Sequence, residues 1–599
     1  MLRVRWLGRV PYEEAFDLQR ALATRSREDY LLLLEHPHVY TLGVRARPSH
    51  VLVDPERVGA ALIRSNRGGD VTYHGPGQLV IYPIVTVTAD PSSGREHVAR
   101  LEQVLIDALT GLGVDRSAGG LGRLEGFPGV WVGLSDGRPR KLASIGVRTI
   151  RTADRRRRTL HGAALNIDCD LSMFRHIVPC GITEYPVTSL ANEGLGIGLR
   201  DAMDAIVERA SREWGAANAP IDRQGVASAR LRLGVRVRGE ARSDDQGPGL
   251  QPLRDPGPAG ASPDRGACGD GRQPGSPGPV YDRPLTRRLR QAGVDPDQGL
   301  SMADRKPPWL RVPARMGGEF LHLGGTLHAL NLVTVCEEAG CPNIFECWND
   351  GTATFMVNGS RCTRACGFCK VDTRRPFPLD PTEPERVARA VEQMGLAHAV
   401  VTCVARDDLP DGGAGAIAAT IRAIRERCPS TTVETLVSDC KGDPETLATI
   451  FEARPDVLNH NIETVARLQR AVRPSAGYSR SLAVLARAAD AGLVVKSGLM
   501  VGLGEERDEV LGTLADLRGV GVSIATIGQY IRPSRDHIPV ARWWSPEEFT
   551  DLREEGLRLG FTHVQASPLT RSSYHAREAA EASGQLRWAT CSVQRVPSQ

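Results

Sequence analysis

The sequence predicts an α/β protein with two folded halves joined by a polar linker. Apolar, strand-like runs alternate with helical patterns in residues 1–220 and again in residues 284–599. Residues 221–283 lie between them, and their central part is rich in proline, glycine, serine and aspartate. Such a segment buries too little apolar surface to offset the entropy lost on ordering, so we interpret it as a disordered tether.

The composition excludes several classes of partner. The chain has 599 residues, 41% hydrophobic and 24% charged, with a net charge of +4, which calls for neither nucleic acid nor membrane. No apolar run approaches the roughly 20 residues that span a bilayer, and the N-terminus lacks an apolar signal-peptide core. The 13 cysteines are clustered and odd in number, as for metal-binding and catalytic thiols in a reducing compartment. We therefore expect a cytoplasmic protein.

A glycine-rich stretch marks the first half. Residues 67–80 contain four glycines, which allow the backbone to approach a ligand closely, although a hairpin with tight turns explains the same pattern. Further along the chain lie Lys141 and Cys180. An ammonium beside a thiol favours the thiolate, but a solvated lysine and a buried thiol are equally ordinary interpretations.

Together, these three features resemble the lipoyl(octanoyl) transferase family, which is related in fold to biotin protein ligases and lipoate ligases. The resemblance covers residues 1–220 and implies that Cys180 carries an acyl group as a thioester, activated by Lys141. Octanoyl would pass from acyl carrier protein to Cys180 and then to a lysine of a lipoyl domain. The resemblance also implies acyl-binding residues, namely Arg67, Gly68, Gly69, Asp70, Val71, Thr72, Tyr73, His74, Ser144, Ile145, Gly146, Gly162, Ala163 and Ala164.

Three details of this half carry separate expectations. Asp70 stands where the family more often has glutamine, which leaves the role of that residue open. Cys169 lies outside the family's catalytic motif and is interpreted as structural. The basic run Arg155–Arg158 is predicted at a hairpin tip, where it is either simply solvated or docks an acidic acyl carrier protein.

The second half contains a C-x3-C-x2-C motif formed by Cys362, Cys366 and Cys369. Disulfides need an even number of thiols and structural zinc sites usually need four ligands, whereas three thiolates suit a [4Fe–4S] cluster with one open iron. Three unrelated loop thiols are the alternative. The spacing resembles the radical S-adenosylmethionine (SAM) superfamily. There the open iron binds SAM, which an electron from the cluster cleaves to a 5′-deoxyadenosyl radical.

A second thiol set makes the resemblance more specific. Cys336, Cys341 and Cys347 form a C-x4-C-x5-C pattern, and an Arg-Ser-Ser-Tyr sequence occurs at residues 571–574. Both features resemble lipoyl synthase, over residues 284–599. The resemblance implies a second, auxiliary [4Fe–4S] cluster that supplies sulfur, with Ser573 as its fourth ligand. A serine oxygen is a harder iron ligand than a thiolate, which suits a cluster that is dismantled in use.

The alternation of strand-like and helical segments in this half implies a partial (β/α) barrel, as in radical SAM enzymes. Active sites of such barrels lie at the C-terminal ends of strands. Each polar residue there is, on its own, more often an ordinary loop residue than a ligand. The candidate SAM contacts are Asn459, Asn461, Glu463, Lys496, Ser497, Gln529 and Arg532.

Residues 406–414 also resemble the family and are expected near SAM or the peptide substrate. Just upstream the chain has Cys403, Val404 and Ala405, where the family pattern is Ser-Val-Asp, so one carboxylate is missing. Cys403, Cys428 and Cys440 fall outside both cluster motifs and are interpreted as buried thiols.

The two resemblances together imply a fusion enzyme that makes protein-bound lipoate. The first half would transfer octanoyl, and the second would insert sulfur at C6 and C8. The expected partners are octanoyl-acyl carrier protein, the lipoyl domains of 2-oxoacid dehydrogenases and the glycine cleavage H protein, and an electron donor such as ferredoxin or flavodoxin.

Three alternatives remain. In the first, the N-terminal half is an ATP-dependent lipoate ligase, and in the second it is a non-catalytic module that presents the lipoyl domain. In the third, the C-terminal half performs a related sulfur transfer, as biotin synthase does. Cys180 and Lys141 argue against the ligase, because ligases form an adenylate, and the Arg-Ser-Ser-Tyr sequence argues against biotin synthase.

Overall fold

The computed structural model describes residues 1–90, 92–215, 222–224, 284–311, 324–327, 329–338, 341, 343–349 and 353–582. The predicted linker lies outside the described residues except for 222–224. Within the described part of the chain, no helix is long and apolar enough to cross a membrane.

The first half contains two sheets. The strands are β1 (Leu2–Arg9), β2 (Asp29–Glu35), β3 (Val39–Leu42), β4 (Ala61–Arg64), β5 (Val71–His74), β6 (Gln78–Ile84), β7 (Thr86–Val87), β8 (Leu121–Leu124), β9 (Phe127–Val132), β10 (Arg140–Arg151), β11 (Arg157–Asn166) and β12 (Asp222–Gln224). The larger sheet is mixed and has the order β12-β1-β2-β6-β11-β10-β9-β8, with β7 paired to β11, and the smaller sheet has the order β4-β3-β5. The helices are α1 (Tyr12–Arg25), α2 (Ser93–Gly111), α3 (Val114–Ser117) and α4 (Leu199–Trp214).

The central strand β2 shows why this sheet carries helices on both faces. Leu32 and Leu34 belong to the core that includes α1, whereas Leu31 and Leu33 belong to a second core that includes α2 and α4. A strand covered on both faces is apolar throughout instead of alternating, which explains the run of four leucines.

The second half is a parallel sheet of seven strands in sequential order. Its strands are β13 (Ala353–Val357), β14 (His398–Cys403), β15 (Thr432–Leu436), β16 (Val457–Asn459), β17 (Val494–Val501), β18 (Ile524–Gln529) and β19 (His563–Ser567). Within the described strands, β13 and β19 each pair with one neighbour only, so the sheet stays open. The predicted α/β class is confirmed, with no closed barrel.

Helices connect these strands, as parallel pairing requires, and further helices precede β13 and follow β19 in the chain. They are α5 (Pro284–Gln291), α6 (Val335–Glu338), α7 (Ile344–Asn349), α8 (Glu383–Gln393), α9 (Ala414–Arg427), α10 (Pro444–Glu452), α11 (Gln469–Val472), α12 (Tyr478–Asp490), α13 (Arg507–Gly519), α14 (Pro546–Leu559) and α15 (Ala576–Ala582). Short 3₁₀ turns occur at Pro48–His50, Pro55–Val58, Leu171–His176, Pro179–Gly181, Pro296–Gln298, Pro308–Leu310 and Cys440–Gly442.

Two candidate active sites

The hairpin of β10 and β11 joins two of the three predicted acyl-binding segments. Ser144–Gly146 pair directly with Gly162–Ala164 across this hairpin. The third segment crosses the same strand, because the Gly68 amide donates to the Val147 carbonyl. A Cβ at position 146 would lie 2.9 Å from the Gly68 carbonyl oxygen, so only glycine allows this approach. The structure therefore brings all three predicted segments together.

Cys180 faces this surface from the 3₁₀ turn Pro179–Gly181. Its backbone is left-handed, with φ 57°, which is uncommon for a residue other than glycine. Its Sγ atom lies 4.0 Å from Ser144 Oγ. Burial lowers the pKa of Arg67 and the nearby Cys180 thiolate opposes that shift, which places the guanidinium close to the sulfur.

Lys141 lies on β10, three residues before Ser144. Residues three apart on a regular strand point to opposite faces, but a bulge between Lys141 and Ala143 adds one residue here. Leu142 and Ala143 consequently both enter the same core, which leaves Lys141 and Ser144 on the other face. The Lys141 ammonium lies 5.1 Å from the centre of the Trp131 ring. Between the two described residues Lys141 and Cys180 there is no hydrogen bond.

Asp70 pairs with a residue that the sequence analysis missed. Its Oδ2 atom lies 2.7 Å from His50 Nδ1, and its Oδ1 atom accepts a hydrogen bond from the Val71 amide. A Cβ at Gly181, the neighbour of Cys180, would lie 2.9 Å from Asp70 Oδ2. The aspartate thus packs against the 3₁₀ turn that contains Cys180. No spacing in the sequence links residues 50 and 70, because their contact depends on how the small sheet folds.

The other expectations for this half have mixed outcomes. Cys169 is buried, and burial raises the pKa of its thiol to about 12, in line with a structural role. The arginine run does lie at the turn between β10 and β11, but only part of it is solvated. Arg155 is exposed, whereas Arg158 is fully buried and donates to the backbone carbonyls of Ser26, Glu28 and Ile84.

In the second half, the predicted ligands Cys362, Cys366 and Cys369 follow the C-terminal end of β13. The backbone of Ala405, which follows β14, holds their loop, because its carbonyl accepts hydrogen bonds from both the amide and the hydroxyl of Thr363. The side-chain carboxylate missing at position 405 is therefore not needed for this contact. The Cys362 amide donates to the Asp372 carbonyl, 2.8 Å away.

Cys362, Cys366 and Cys369 lie close enough to influence one another. Burial raises the pKa values of Cys366 and Cys369, and the neighbouring thiolates raise them further. Among the described residues, no group of three His, Cys, Asp or Glu side chains converges on one metal ion. A cluster places each thiolate on a different iron and so needs wider spacing than a single ion. Three mutually close, half-buried thiols fit such a group.

Arg364, between the first two of these cysteines, is fixed by two carboxylates. Asp407 belongs to residues 406–414, which the sequence analysis singled out, whereas Asp439 was not identified there. Arg364 donates two hydrogen bonds to Asp407, at 2.7 and 2.8 Å, and a third to Asp439 at 2.6 Å. Asp439 is fully buried, and despite the cost of burial Arg364 holds its pKa below the usual range. These carboxylates follow β14 and β15, so strand order alone brings them together.

The Arg-Ser-Ser-Tyr segment packs against the second thiol set. The Asn343 side chain donates to the Leu569 carbonyl at 2.7 Å, and the Tyr574 hydroxyl donates to Glu346 at 3.0 Å. Arg571 lies close enough to Cys341 to oppose the rise in the pKa of that thiol, which burial causes. The Cys336 side chain lies outside the described residues.

The candidate SAM contacts mostly have protein partners. Asn459 and Lys496 both bind the buried carboxylate of Glu434, at 2.9 and 3.0 Å. The Gln529 side chain accepts a hydrogen bond from the Trp544 amide. These three side chains therefore make hydrogen bonds within the protein, and their role in binding SAM stays a prediction.

Four candidates remain, and one of them, Glu463, lies near the thiols. Glu463, with φ 67°, is close enough to Cys366 and Cys369 to raise their pKa values. Asn461 accepts a hydrogen bond from the Gly498 amide, and the Ser497 hydroxyl accepts one from the Ile462 amide. Arg532 donates to the carbonyls of Ser534 and Arg535.

Of the three thiols expected to be buried, Cys440 is buried, whereas Cys403 and Cys428 are half-buried. The expectation is therefore right for one of the three. Cys403 ends β14 at the rim of the sheet, where the loops begin, and it lies near Cys362 and Cys440.

Comparisons with known proteins match each half of the chain to a known family. Residues 11–211 match the lipoyl protein ligase A/B catalytic domain, and residues 356–517 match the radical SAM superfamily. The lipoyl synthase of Rubrobacter xylanophilus is 55% identical over 278 residues, which are 46% of this chain and 87% of that protein. The chain belongs to the lipoyl synthase family. The lipoyl synthase of Mycobacterium avium is 56% identical over 283 residues, 47% of this chain and 92% of that protein.

These matches confirm the predicted fusion, with a ligase- or transferase-like domain before a lipoyl synthase half. They support a role in lipoate biosynthesis, and the radical SAM family implies a [4Fe–4S] cluster and SAM. A solved lipoate protein ligase from Thermoplasma acidophilum aligns with a TM-score of 0.31 and 16% identity over 37% of this chain and 87% of that one. A score this low supports no statement about function.

Proposed function

We propose that the chain makes protein-bound lipoate in two steps: octanoyl transfer by the first half and sulfur insertion at C6 and C8 by the second. The main support is the packing of residues 571–574 against the segment of Cys341 and Cys347. This packing supports Ser573, which lies between Arg571 and Tyr574, as the proposed fourth ligand.

In the first step, the Cys180 thiolate attacks the thioester carbonyl of octanoyl-acyl carrier protein. A carbon–sulfur bond forms to Cys180, the bond to the carrier sulfur breaks, and the Lys141 ammonium gives its proton to the departing carrier thiolate. The target lysine amine of a lipoyl domain then attacks the new thioester. An amide forms, Cys180 leaves as a thiolate, and Lys141 accepts the proton that the amine loses.

The surroundings of Cys180 suit this chemistry. The Ser144 hydroxyl lies 4.0 Å from the Cys180 sulfur, and the Arg67 guanidinium lies close enough to interact with that sulfur electrostatically. Arg67 is held in place because its Nε atom donates to Thr41 Oγ1 at 3.0 Å. Thioester exchange is nearly isoenergetic, whereas amide formation makes the second transfer effectively irreversible.

In the second step, Cys362, Cys366 and Cys369 would hold one [4Fe–4S] cluster. Cys336, Cys341, Cys347 and Ser573 would hold the other. When bound, the first cluster and SAM supply a carbon-centred radical that abstracts hydrogen from the octanoyl chain, and the second supplies sulfur. The chain's own contribution is a fixed loop: Thr363 is bound to the Ala405 carbonyl, and Arg364 to Asp407 and Asp439.

The experiment that tests the second step measures the intact mass of an octanoylated lipoyl-domain peptide. The peptide is incubated anaerobically with reconstituted protein, SAM and a strong reductant. We expect a gain of two sulfur atoms with loss of two hydrogens. An unchanged mass, from protein that contains iron and sulfide for two clusters, would contradict sulfur insertion.

A second experiment tests the first step and separates it from its alternatives. Octanoyl-acyl carrier protein and a lipoyl domain are incubated with the full chain without ATP. We expect octanoylation of the lysine and an octanoyl adduct on Cys180. Strict dependence on ATP would indicate a lipoate ligase. Full activity of a Cys180→Ser variant would contradict the acyl-cysteine route.

A further inference from the structure

The helix α1 connects the two halves of the chain. It packs along α12 of the second half, and residues of both halves form one continuous apolar core that includes Leu18 and Leu22 from α1 and Leu485 and Leu514 from the radical SAM half. Neither sequence resemblance predicts such a contact, because each family pattern describes one half only.

A buried ion pair lies within this interface. Arg5 of β1 donates to Asp516 of α13 at 2.7 Å, and both side chains are only 2% exposed. The Tyr478 hydroxyl donates to the same carboxylate at 2.9 Å, and Arg5 also donates to the Gly512 carbonyl. Separating the halves would leave these charges without their partners, which is costly for groups already removed from water.

Close backbone packing extends the interface. A Cβ at Gly519, the last residue of α13, would lie 2.9 Å from Leu22 Cδ2 and 3.3 Å from the Tyr30 hydroxyl. Glycine at this position lets α13 approach α1 directly. Fit of this kind is typical of an interior and not of a loose encounter between tethered domains.

Charged pairs surround the apolar centre. Asp17 accepts a hydrogen bond from Arg487 at 2.7 Å, and the same arginine donates to the Gly442 carbonyl. Arg20 and Arg25 both contact Asp490 at the end of α12. In each pair, the first half and the second half carry opposite charges, so the pairing specifies how the two surfaces align.

A further ion pair connects the interface with the loop that contains Cys362, Cys366 and Cys369. Glu14 of α1 accepts a hydrogen bond from Arg480 at 2.8 Å, and Arg480 also lies 3.9 Å from Asp439. Asp439 in turn binds Arg364, between Cys362 and Cys366. Burial raises the pKa of Glu14, while Arg480 and Arg487 oppose the rise and nearby Asp439 adds to it.

We propose that the first half is a docked partner of the radical SAM half, and that Glu14 positions the cluster-binding loop through Arg480, Asp439 and Arg364. Docking through α1 would keep the halves together without the linker. The first half would then serve as a structural support for the second, in addition to its own reaction. This interface depends on packing and charge, whichever reactions the two halves catalyse.

The test of docking uses the full chain with a site-specific protease sequence inserted in residues 240–282. The folded protein is cleaved, and the two fragments are analysed by size-exclusion chromatography at about micromolar concentration. We expect the fragments to elute together at the size of the intact chain. Elution as two separate species would overturn the proposal.

Charge reversal then tests whether the interface is specific. We expect Asp17→Arg to weaken association of the cleaved fragments about tenfold or more, and the double variant Asp17→Arg/Arg487→Asp to restore much of it. Asp204→Arg, in an exposed pair with Arg200 on α4, is the matched control and should change nothing. An equal loss in the Asp204 variant would overturn the assignment of the interface.

The role of Glu14 is tested by hydrogen–deuterium exchange of the reconstituted full chain. We expect Glu14→Gln to accelerate exchange in residues 360–370 several-fold, while the strands of the radical SAM half exchange as before. Asp17→Asn, which also removes an interface carboxylate but not the partner of Arg480, should leave this loop unchanged. Unaltered loop exchange in Glu14→Gln would overturn the positioning role.

Discussion

The Sγ atom of Cys180 lies 4.0 Å from the Oγ atom of Ser144, across the turn that presents the thiol to β10. This contact assigns separate roles to two thiols in the same half. Cys180 is half-buried beside a hydroxyl and an arginine, whereas Cys169 is only 7% exposed within an apolar cluster.

We therefore expect Cys180→Ala to abolish octanoyl transfer and Ser144→Ala to lower its rate about tenfold, since one hydrogen bond to the thiolate is lost. Transfer is measured by the mass of the lipoyl domain over time. Cys169→Ala is the control and should retain activity. An active Cys180→Ala variant would show that the thiol is not the acyl carrier.

Gly129 tests the position of Lys141. Its φ is +139°, and a Cβ there would lie 2.8 Å from Lys141 Cε and 2.5 Å from the Ala143 carbonyl oxygen. We expect Gly129→Ala to displace the lysine and to lower octanoyl transfer about tenfold or more. Gly126→Ala is the matched control, because Gly126 also has positive φ but no atom within 4 Å of the added Cβ. Equal losses in both variants would indicate backbone strain alone.

The two thiol sets predict different losses of function. Cys341→Ala and Ser573→Ala should prevent sulfur insertion but retain reductive cleavage of SAM. Cys362→Ala should prevent both, because it removes a ligand of the cluster that binds SAM. Formation of 5′-deoxyadenosine and of lipoyl peptide, measured in the same reaction, checks this. Loss of SAM cleavage in all three variants, with iron still bound, would contradict the assignment of two sites.

Buried histidines predict that stability falls in mild acid. Burial lowers the pKa of His36 and His97 to about 4 and that of His161 to about 3. His36 is neutral in this setting, because its Nδ1 atom donates to the Val10 carbonyl and its Nε2 atom accepts from the Tyr82 hydroxyl. The unfolded chain, with histidine pKa near 6.5, binds protons that the folded chain excludes.

The free energy of unfolding should therefore decrease as the pH falls from about 6.5 toward 4, by up to about 1.4 kcal/mol per pH unit for each such histidine. Urea unfolding followed by tryptophan fluorescence at several pH values measures the slope. Replacing His97 with Gln should make the slope shallower. A slope that is unchanged in this range would contradict the buried, neutral state.

The buried pair of Arg364 and Asp439 predicts a large stability effect. Their side chains are 6% and 0% exposed, so Asp439→Ala leaves a buried guanidinium with only Asp407 as its carboxylate partner. We expect the free energy of unfolding of the second half to fall by about 3 kcal/mol. Glu208→Ala, which removes an exposed pair with Arg212, should cost less than about 0.5 kcal/mol. Equal losses of unfolding free energy in the two variants would mean that burial of the Arg364–Asp439 pair does not increase its effect on stability.

Much of the site chemistry was predictable from local spacing. Cys362, Cys366 and Cys369 lie within eight residues, so their loop gathers them whatever the rest of the chain does. The glycines in residues 67–80 predict close approach of the backbone to a ligand, and the structure places one of them, Gly68, against Gly146. The leucine run of β2 predicts a buried strand, and the structure adds that it contributes to a core on each face.

The remaining relationships depend on contacts between residues far apart in the sequence. Asp70 meets His50, Arg364 meets Asp439, and Arg5 meets Asp516 only after strands and helices have packed. A sequence pattern reports periodicity and short spacing, but it does not report which surfaces approach each other. The sequence by itself therefore determined the two families and the spacing of the clustered thiols. The tertiary structure decided which charges are buried together, because burial and pairing arise only when distant segments exclude water from a shared interior.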